Sequence, residues 1–315
     1  MKDGLCIFSG SAHRELAEEI CRLRGTRLGL SITQHFSNDN LYVQLQESVR
    51  ERDVFIIQPF YPPPVSDRLL ELLMMLDAAR SASAKRVTAV IPYYSYSRSD
   101  KKDEPRISIA GRLVADLLAT SGAQRVLTMT LHSPQVQGFF SVPTDHLSSM
   151  PVFAGYFRDR DLSDTTVVTP DIGHAKRGAE LARQLGLPMA AVSKKRIDDA
   201  TVVVDGLIGE IRTKRVILVD DEIAVGTSMI NAVKLLRNLG VTEATLVCTH
   251  GIFCGPAIAN LQATPEIKEI VTTNTVPIPP EKRIPCMRVL SVAPLFADAI
   301  RRIHEGETMQ PLFDY

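Results

Sequence analysis

Short runs of β-branched and other apolar residues alternate along this chain with segments whose apolar residues recur at helical spacing. Val54-Phe55-Ile56-Ile57-Gln58 is apolar on both faces and stops at Pro59, the pattern of a buried strand. Leu69, Leu72, Leu73 and Leu76 then recur at i, i+3, i+4 and i+7, with Met74 and Met75 filling the same turns, and predict a helix. Further strands are predicted at Arg86–Ile91, Val126–Leu131, Thr166–Thr169, Val216–Val219, Thr245–Cys248 and Glu269–Thr272. Helices are predicted at Ile109–Ala119, Ala175–Leu185 and Met229–Leu239. Near-continuous apolar strands separated by helices imply an α/β fold of mostly parallel sheets covered on both faces. The same strand–loop–helix rhythm occurs in two successive stretches without an alignable repeat. A Pro- and Ser-rich segment around Pro143–Pro151 is the expected boundary. Residues 1–146 and 147–315 are therefore the expected domains, and Pro62–Pro64 and Pro277–Pro280 read as loops.

Length supports this division, since 315 residues suit two domains of ordinary size. Lys+Arg and Asp+Glu are both 36, so the formal charge is zero, unlike the basic excess of a duplex-binding protein. With no Trp and 6% aromatics, platforms for stacking bases are also sparse. The 45% of hydrophobic residues supplies packed cores rather than disorder. Cys6, Cys21, Cys248, Cys254 and Cys286 are odd in number and form no C-x-x-C pair, so reduced thiols are expected rather than a disulfide framework or a Cys-rich zinc site. The apolar run Leu5–Phe8 after Met1–Gly4 is too short for a signal peptide, and no stretch approaches the ~20 apolar residues of a membrane span. Neither nucleic acid nor membrane is an expected partner, and the expected compartment is the cytoplasm.

The most informative short motif is Asp220-Asp221 at the carboxyl end of a predicted strand, followed by Gly226-Thr227-Ser228 and a helix. Ligands of open α/β sheets bind beyond the carboxyl ends of strands. Backbone N–H groups and two hydroxyls at Gly226–Ser228 suit a phosphate, and the paired carboxylates suit vicinal sugar hydroxyls. A sugar phosphate fits the loop from both ends, while an Asp-rich turn before an ordinary helix is an equally good account of the motif alone. Taken alone, His132 is a structural histidine and Lys194–Arg196 a solvated basic turn.

The chain also resembles the ribose-phosphate pyrophosphokinases (phosphoribosyl diphosphate synthetases). The likeness rests on Leu131-His132-Ser133-Pro134-Gln135-Val136-Gln137-Gly138-Phe139-Phe140 with Pro143 and Asp145, and on Ile91–Lys102, Thr169–Lys176, Ser193–Arg196, Val219–Ser228 and Cys248–Pro256. It runs from Phe8-Ser9-Gly10 to about Ile303. The resemblance implies two phosphoribosyltransferase-like domains in tandem, an ATP side and a ribose 5-phosphate side, with the C-terminal tail packing back on the first domain. It implies transfer of the β,γ-diphosphoryl group of MgATP to the 1-hydroxyl of ribose 5-phosphate, giving AMP and 5-phospho-α-D-ribose 1-diphosphate.

By that resemblance Phe36, Asn38, Asp39, Asn40, Arg98, Ser99 and Asp100 bind ATP. Lys194 is the catalytic lysine, and Arg196 beside it binds ribose phosphate. Asp220 and Asp221 contact the ribose hydroxyls, and Ala224, Val225, Gly226, Thr227 and Ser228 wrap the 5-phosphate. His132 and Asp171 fall at positions associated with Mg²⁺. Since Mg²⁺ prefers oxygen, His132 suits orienting water or contacting a phosphate better than direct ligation. A homo-oligomer built from dimers, commonly a hexamer, is implied, as is activation by inorganic phosphate in one large class.

Several positions depart from the family pattern. Phe36-Ser37-Asn38-Asp39-Asn40 stands where Phe-x-Asp-Gly-Glu is usual, and Thr130 and Ser141 replace two acids. Ala224 replaces the third acid of the phosphate loop and Val225 a hydroxyl, unless a one-residue gap pairs Gly226-Thr227 with the usual Gly-Thr. Glu222 offers a carboxylate nearby. These losses leave a non-catalytic, nucleotide-binding regulatory subunit as the alternative to an active diphosphokinase. A phosphoribosyltransferase, which needs no ATP side, is the weaker third.

Overall fold

The computed structural model describes residues 4–196 and 202–313, with the side chains of 194–196 and 202–205 outside that description. The chain divides into two units. The first ends at Ser148 and takes in Thr275–Pro277 and the chain from Ser291; the second is Ser149–Asn274 with Ile278–Leu290.

In the first unit, strands β1 (Leu5–Ser9), β4 (Asp53–Ile57), β5 (Arg86–Ile91), β6 (Arg125–Met129) and β7 (Thr144–Leu147) form a parallel sheet in the order β1-β4-β5-β6-β7. β1 and β4 are buried along their whole length, which is why they read as unbroken apolar runs. One face packs on α1 (Arg14–Leu23) and α8 (Ala293–Glu305) through Leu16, Ile20, Phe55, Ile57, Phe296 and Ile300. The other packs on α2 (Val65–Ser81) and α3 (Ala110–Ser121) through Phe8, Ile56, Leu72, Leu76, Val114 and Leu118. Strands β2 (Ser31–His35) and β3 (Leu41–Leu45) form a separate antiparallel hairpin that the apolar pattern does not predict. Its residues are half-buried or exposed, and its one apolar run, Leu41-Tyr42-Val43, is shorter than those of the buried strands.

The C-terminal helix of this unit is fastened electrostatically as well as by packing. The Asp53 carboxylate, nearly buried, accepts from Arg86 Nε at 2.8 Å and lies 2.8 Å from His304 Nδ1. Arg86 also donates to the carbonyl of Ile303 at 2.7 Å. Asp53→Ala is expected to lower unfolding stability by about 2 kcal/mol, since Arg86 is only partly buried. Urea unfolding checks this, and an unchanged midpoint refutes it.

In the second unit, β8 (Thr165–Thr169), β9 (Met189–Arg196), β10 (Val202–Ile208), β11 (Arg215–Ile223), β12 (Glu243–Gly251), β13 (Ile267–Thr273) and β14 (Met287–Leu290) run in the order β10-β9-β8-β11-β12-β13-β14. All neighbours are parallel except β10 with β9. Helices α6 (Thr227–Asn238) and α7 (Ala257–Gln262) cover one face through Leu218, Leu246, Met229, Val233 and Leu261. Helices α4 (Met150–Phe157) and α5 (Ala175–Leu185) cover the other through Phe153, Leu181, Ile217 and Val247. The fold is thus α/β, with two mostly parallel sheets flanked by helices. The approach of α5 to β8 is close: a Cβ on Gly178 would lie 2.4 Å from Thr169 Cγ2. Gly178→Ala is expected to cost about 1–3 kcal/mol, read as a lower thermal midpoint, and an unshifted midpoint refutes this packing argument.

Among the described residues no helix is long and apolar enough to cross a membrane. All five cysteines are free, and burial pushes the thiols of Cys21 and Cys248 up to about 12.

Candidate functional site

The acidic pair lies inside a strand rather than after one. β11 continues past Val219 to Ile223 because its backbone keeps pairing with β12, with Asp220 opposite Cys248 and Glu222 opposite His250. Asp220 and Asp221 are 7% and 1% exposed, and the Asp221 N–H donates to Asp220 Oδ1 at 2.8 Å. Buried carboxylates require partners, and the turn after β8 supplies them. Asp171 caps a short 3-10 turn, Ile172–His174, by accepting from the His174 N–H at 3.2 Å. That turn points His174 Nδ1 to within 2.7 Å of Asp220 Oδ1, with His174 Nε2 3.6 Å from Asp221 Oδ1. Arg177, in the first turn of α5, brings a guanidinium nitrogen 3.6 Å from Asp221.

Burial pulls the His174 pKa down, but the hydrogen bond to Asp220 and the charges of Asp220, Asp221 and Asp171 outweigh it, and the net shift is upward. Burial raises Asp220, reinforced by Asp221 and opposed by His174. His174 Nδ1 and Asp220 Oδ1, 2.7 Å apart, thus form an acid–base pair. Two carboxylates backed by cations from one side are built to accept hydrogen bonds from neutral donors on the other.

Just beyond β11, Gly226 occupies the N-cap of α6 at φ +83°, a left-handed conformation that favours glycine. No side chain caps this helix, so N–H groups of its first turn face outward beside the exposed Thr227 and Ser228. Val225 is exposed, and the Ala224 carbonyl accepts from the Cys254 N–H at 2.7 Å. Glu222 is a buried strand residue, so its side chain projects from a face of the sheet rather than from the loop.

The remaining candidates divide between the units. In the second, β9 extends through Arg196, so Lys194 and Arg196 belong to a strand paired with Val204 and Val202 rather than to a turn. Their side chains lie outside the described residues. In the first, Phe36, Asn38, Asp39 and Asn40 form the tip of the β2–β3 hairpin. The Phe36 N–H donates to Asn40 O at 2.9 Å, Asp39 has φ +66°, and Phe36 is half exposed against Tyr42. Arg98, itself exposed, ends a 3-10 turn, Ser95–Arg98, after β5 whose Ser97 is buried. The Ser99 hydroxyl accepts from the Ala110 N–H and donates to Ser108 O, both at 3.1 Å, so it holds the start of α3. Asp100 accepts from Gln135 Nε2 at 2.5 Å, joining this loop to the segment after β6. The N–H of His132 donates to Ser97 Oγ at 3.2 Å. Thr130, just before it, has φ +45°, an uncommon conformation for a β-branched residue.

His174 and Arg177 are the site residues that sequence reasoning missed. The signal was present, since His174 stands three residues after Asp171 within Thr169–Lys176, but it gains meaning only once β8 and β11 are known to be adjacent.

Comparison with known proteins covers the same ground. The description of the N-terminal domain of ribose phosphate pyrophosphokinase matches residues 5–122, and that of the phosphoribosyl synthetase-associated domain matches residues 157–314. A Streptomyces coelicolor relative is 52% identical over 314 residues, covering 100% of this chain and 98% of its own. The ribose-phosphate pyrophosphokinase of Deinococcus radiodurans is 50% identical over 314 residues, with 98% of each chain covered. The crystal structure of phosphoribosylpyrophosphate synthetase from Mycobacterium smegmatis superposes with a TM-score of 0.90 at 38% identity, covering 97% of this chain and 100% of that one. Motif order, identity and fold agree along the chain, which belongs to the ribose-phosphate pyrophosphokinase family.

Proposed function

We propose that this protein is a ribose-phosphate diphosphokinase that moves the β,γ-diphosphoryl group of MgATP to the 1-hydroxyl of ribose 5-phosphate. The observation that carries the reading is the Asp220–Asp221 pair, backed by His174 and Arg177, immediately before the uncapped first turn of α6. Asp220 and Asp221 accept the ribose hydroxyls, and N–H groups of Ala224–Ser228 with the Thr227 and Ser228 hydroxyls receive the 5-phosphate. The 1-hydroxyl oxygen attacks the β-phosphorus, the bond from that phosphorus to the α,β-bridging oxygen breaks, AMP leaves, and the hydroxyl proton passes to solvent. Lys194 stabilises charge on the transferring group, and Arg196 holds the sugar phosphate in place. Phe36, Asn38, Asp39, Asn40, Arg98, Ser99 and Asp100 serve the ATP.

Oxygen donors suit Mg²⁺, and Asp171 fits: one carboxylate oxygen caps its turn while the side chain is about one third exposed. His132 offers nitrogen, so we assign it to phosphate or bound water. Bound Mg²⁺ would neutralise phosphate charge.

The reading extends to a dimer-based homo-oligomer, activation by inorganic phosphate and a cytoplasmic setting for an ATP-consuming enzyme with free thiols. The test incubates purified protein with ATP, Mg²⁺ and ribose 5-phosphate, with and without inorganic phosphate, and quantifies both products. Equimolar AMP and phosphoribosyl diphosphate are expected. Neither product from folded protein would favour the regulatory-subunit reading, to which Thr130, Ser141 and Ala224 point by their lost carboxylates.

A further inference from the structure

The strongest unexplained feature is an acid and an imidazole buried where β11 ends. Glu222 stands opposite His250 in the parallel ladder, with exposures of 7% and 2%. Register partners on adjacent strands project to the same face of a sheet. The backbone closes directly after them: Ile223 O accepts from the N–H groups of Ile252 and Phe253, and Ala224 O from that of Cys254. Beyond that point Gly226 is buried and its carbonyl accepts from the Ile230 N–H at 3.0 Å, while Val225, Thr227 and Ser228 are exposed. Ala224–Ser228 contains no carboxylate, and its Gly226 N-cap makes no side-chain cap bond. A third buried carboxylate so close to Asp220 and Asp221 is costly unless a proton donor answers it.

We infer that Glu222 and His250 are a positioning pair that locks the end of β11 to β12 and so sets where Ala224–Ser228 presents its N–H groups to the sugar phosphate. This rests on the sugar-phosphate reading of the loop. Neither residue touches substrate. Their effect should therefore appear as affinity for ribose 5-phosphate and not for MgATP.

The test measures ribose 5-phosphate binding to the full chain by calorimetry, independent of turnover, with the MgATP KM determined in parallel. Glu222→Ala and His250→Ala are each expected to weaken ribose 5-phosphate binding about tenfold, and Glu222→Ile/His250→Val to be no worse than either single change. Glu222→Gln, which keeps a hydrogen-bonding group, should stay within about threefold of the wild type. The MgATP KM should move less than about twofold throughout, a split that general destabilisation does not produce. Additive losses in the double variant, unchanged binding in both single variants, or equal losses for both substrates would overturn the pair. Wild-type protein that binds no ribose 5-phosphate would instead overturn the reading of the loop, and this inference with it.

Discussion

Lys194→Ala is expected to reduce kcat for AMP and phosphoribosyl diphosphate formation by about a thousandfold, with binding of ribose 5-phosphate and MgATP retained within about threefold. Charge on the transferring group is spread over phosphate oxygens, and a lysine supplies a compact, mobile cation to them. A contact made chiefly in the transition state lowers kcat when removed and leaves ground-state affinity nearly alone. The backbone supports the placement: Lys194 is on β9, paired with Val204 of β10, so its Cα is held by a ladder rather than by a free turn. Lys194→Arg keeps the charge but changes its shape, and an intermediate kcat is expected. Steady-state kinetics and calorimetry on folded variants decide it, and an unchanged kcat would remove Lys194 from the chemistry.

What the sequence shows and what it hides follow from burial. Strands covered on both faces have no polar side to interrupt them, so β4, β5 and β8 are legible as apolar runs, and Arg86–Ile91 is read with both ends correct. Helix α5 is equally legible, since its predicted and observed limits are both Ala175–Leu185. The β2–β3 hairpin is half exposed, and its signal, the β-prone Leu41-Tyr42-Val43 on one strand against the mostly polar Ser31–His35 on the other, is too short and uneven to stand out beside the buried runs. β11 is cut short at Val219 in the sequence reading because three acids in a row look like solvent-facing residues. They stay in the strand because cations reach Asp220 and Asp221 from the β8 turn, a contact between residues more than 40 positions apart that no local pattern encodes.

Removing the more deeply buried of the two paired acids should separate substrate recognition from folding. Asp221→Ala is expected to weaken ribose 5-phosphate binding about a hundredfold while the MgATP affinity barely changes. Asp221 is 1% exposed, with His174 and Arg177 at 3.6 Å, so its loss removes an acceptor for the sugar and takes a carboxylate from beside the Arg177 guanidinium and the His174 ring. A stability loss of about 2–3 kcal/mol should accompany the change, because breaking one side of a buried charge cluster is costly. Asp221→Asn separates the two effects. The amide oxygen still accepts one hydrogen bond and fills the same volume, so much of the packing survives while the negative charge is lost. Ribose 5-phosphate affinity should then fall substantially with a smaller drop in thermal midpoint. If both variants lose affinity for ribose 5-phosphate and MgATP equally, Asp221 supports the fold and the sugar must be recognised elsewhere.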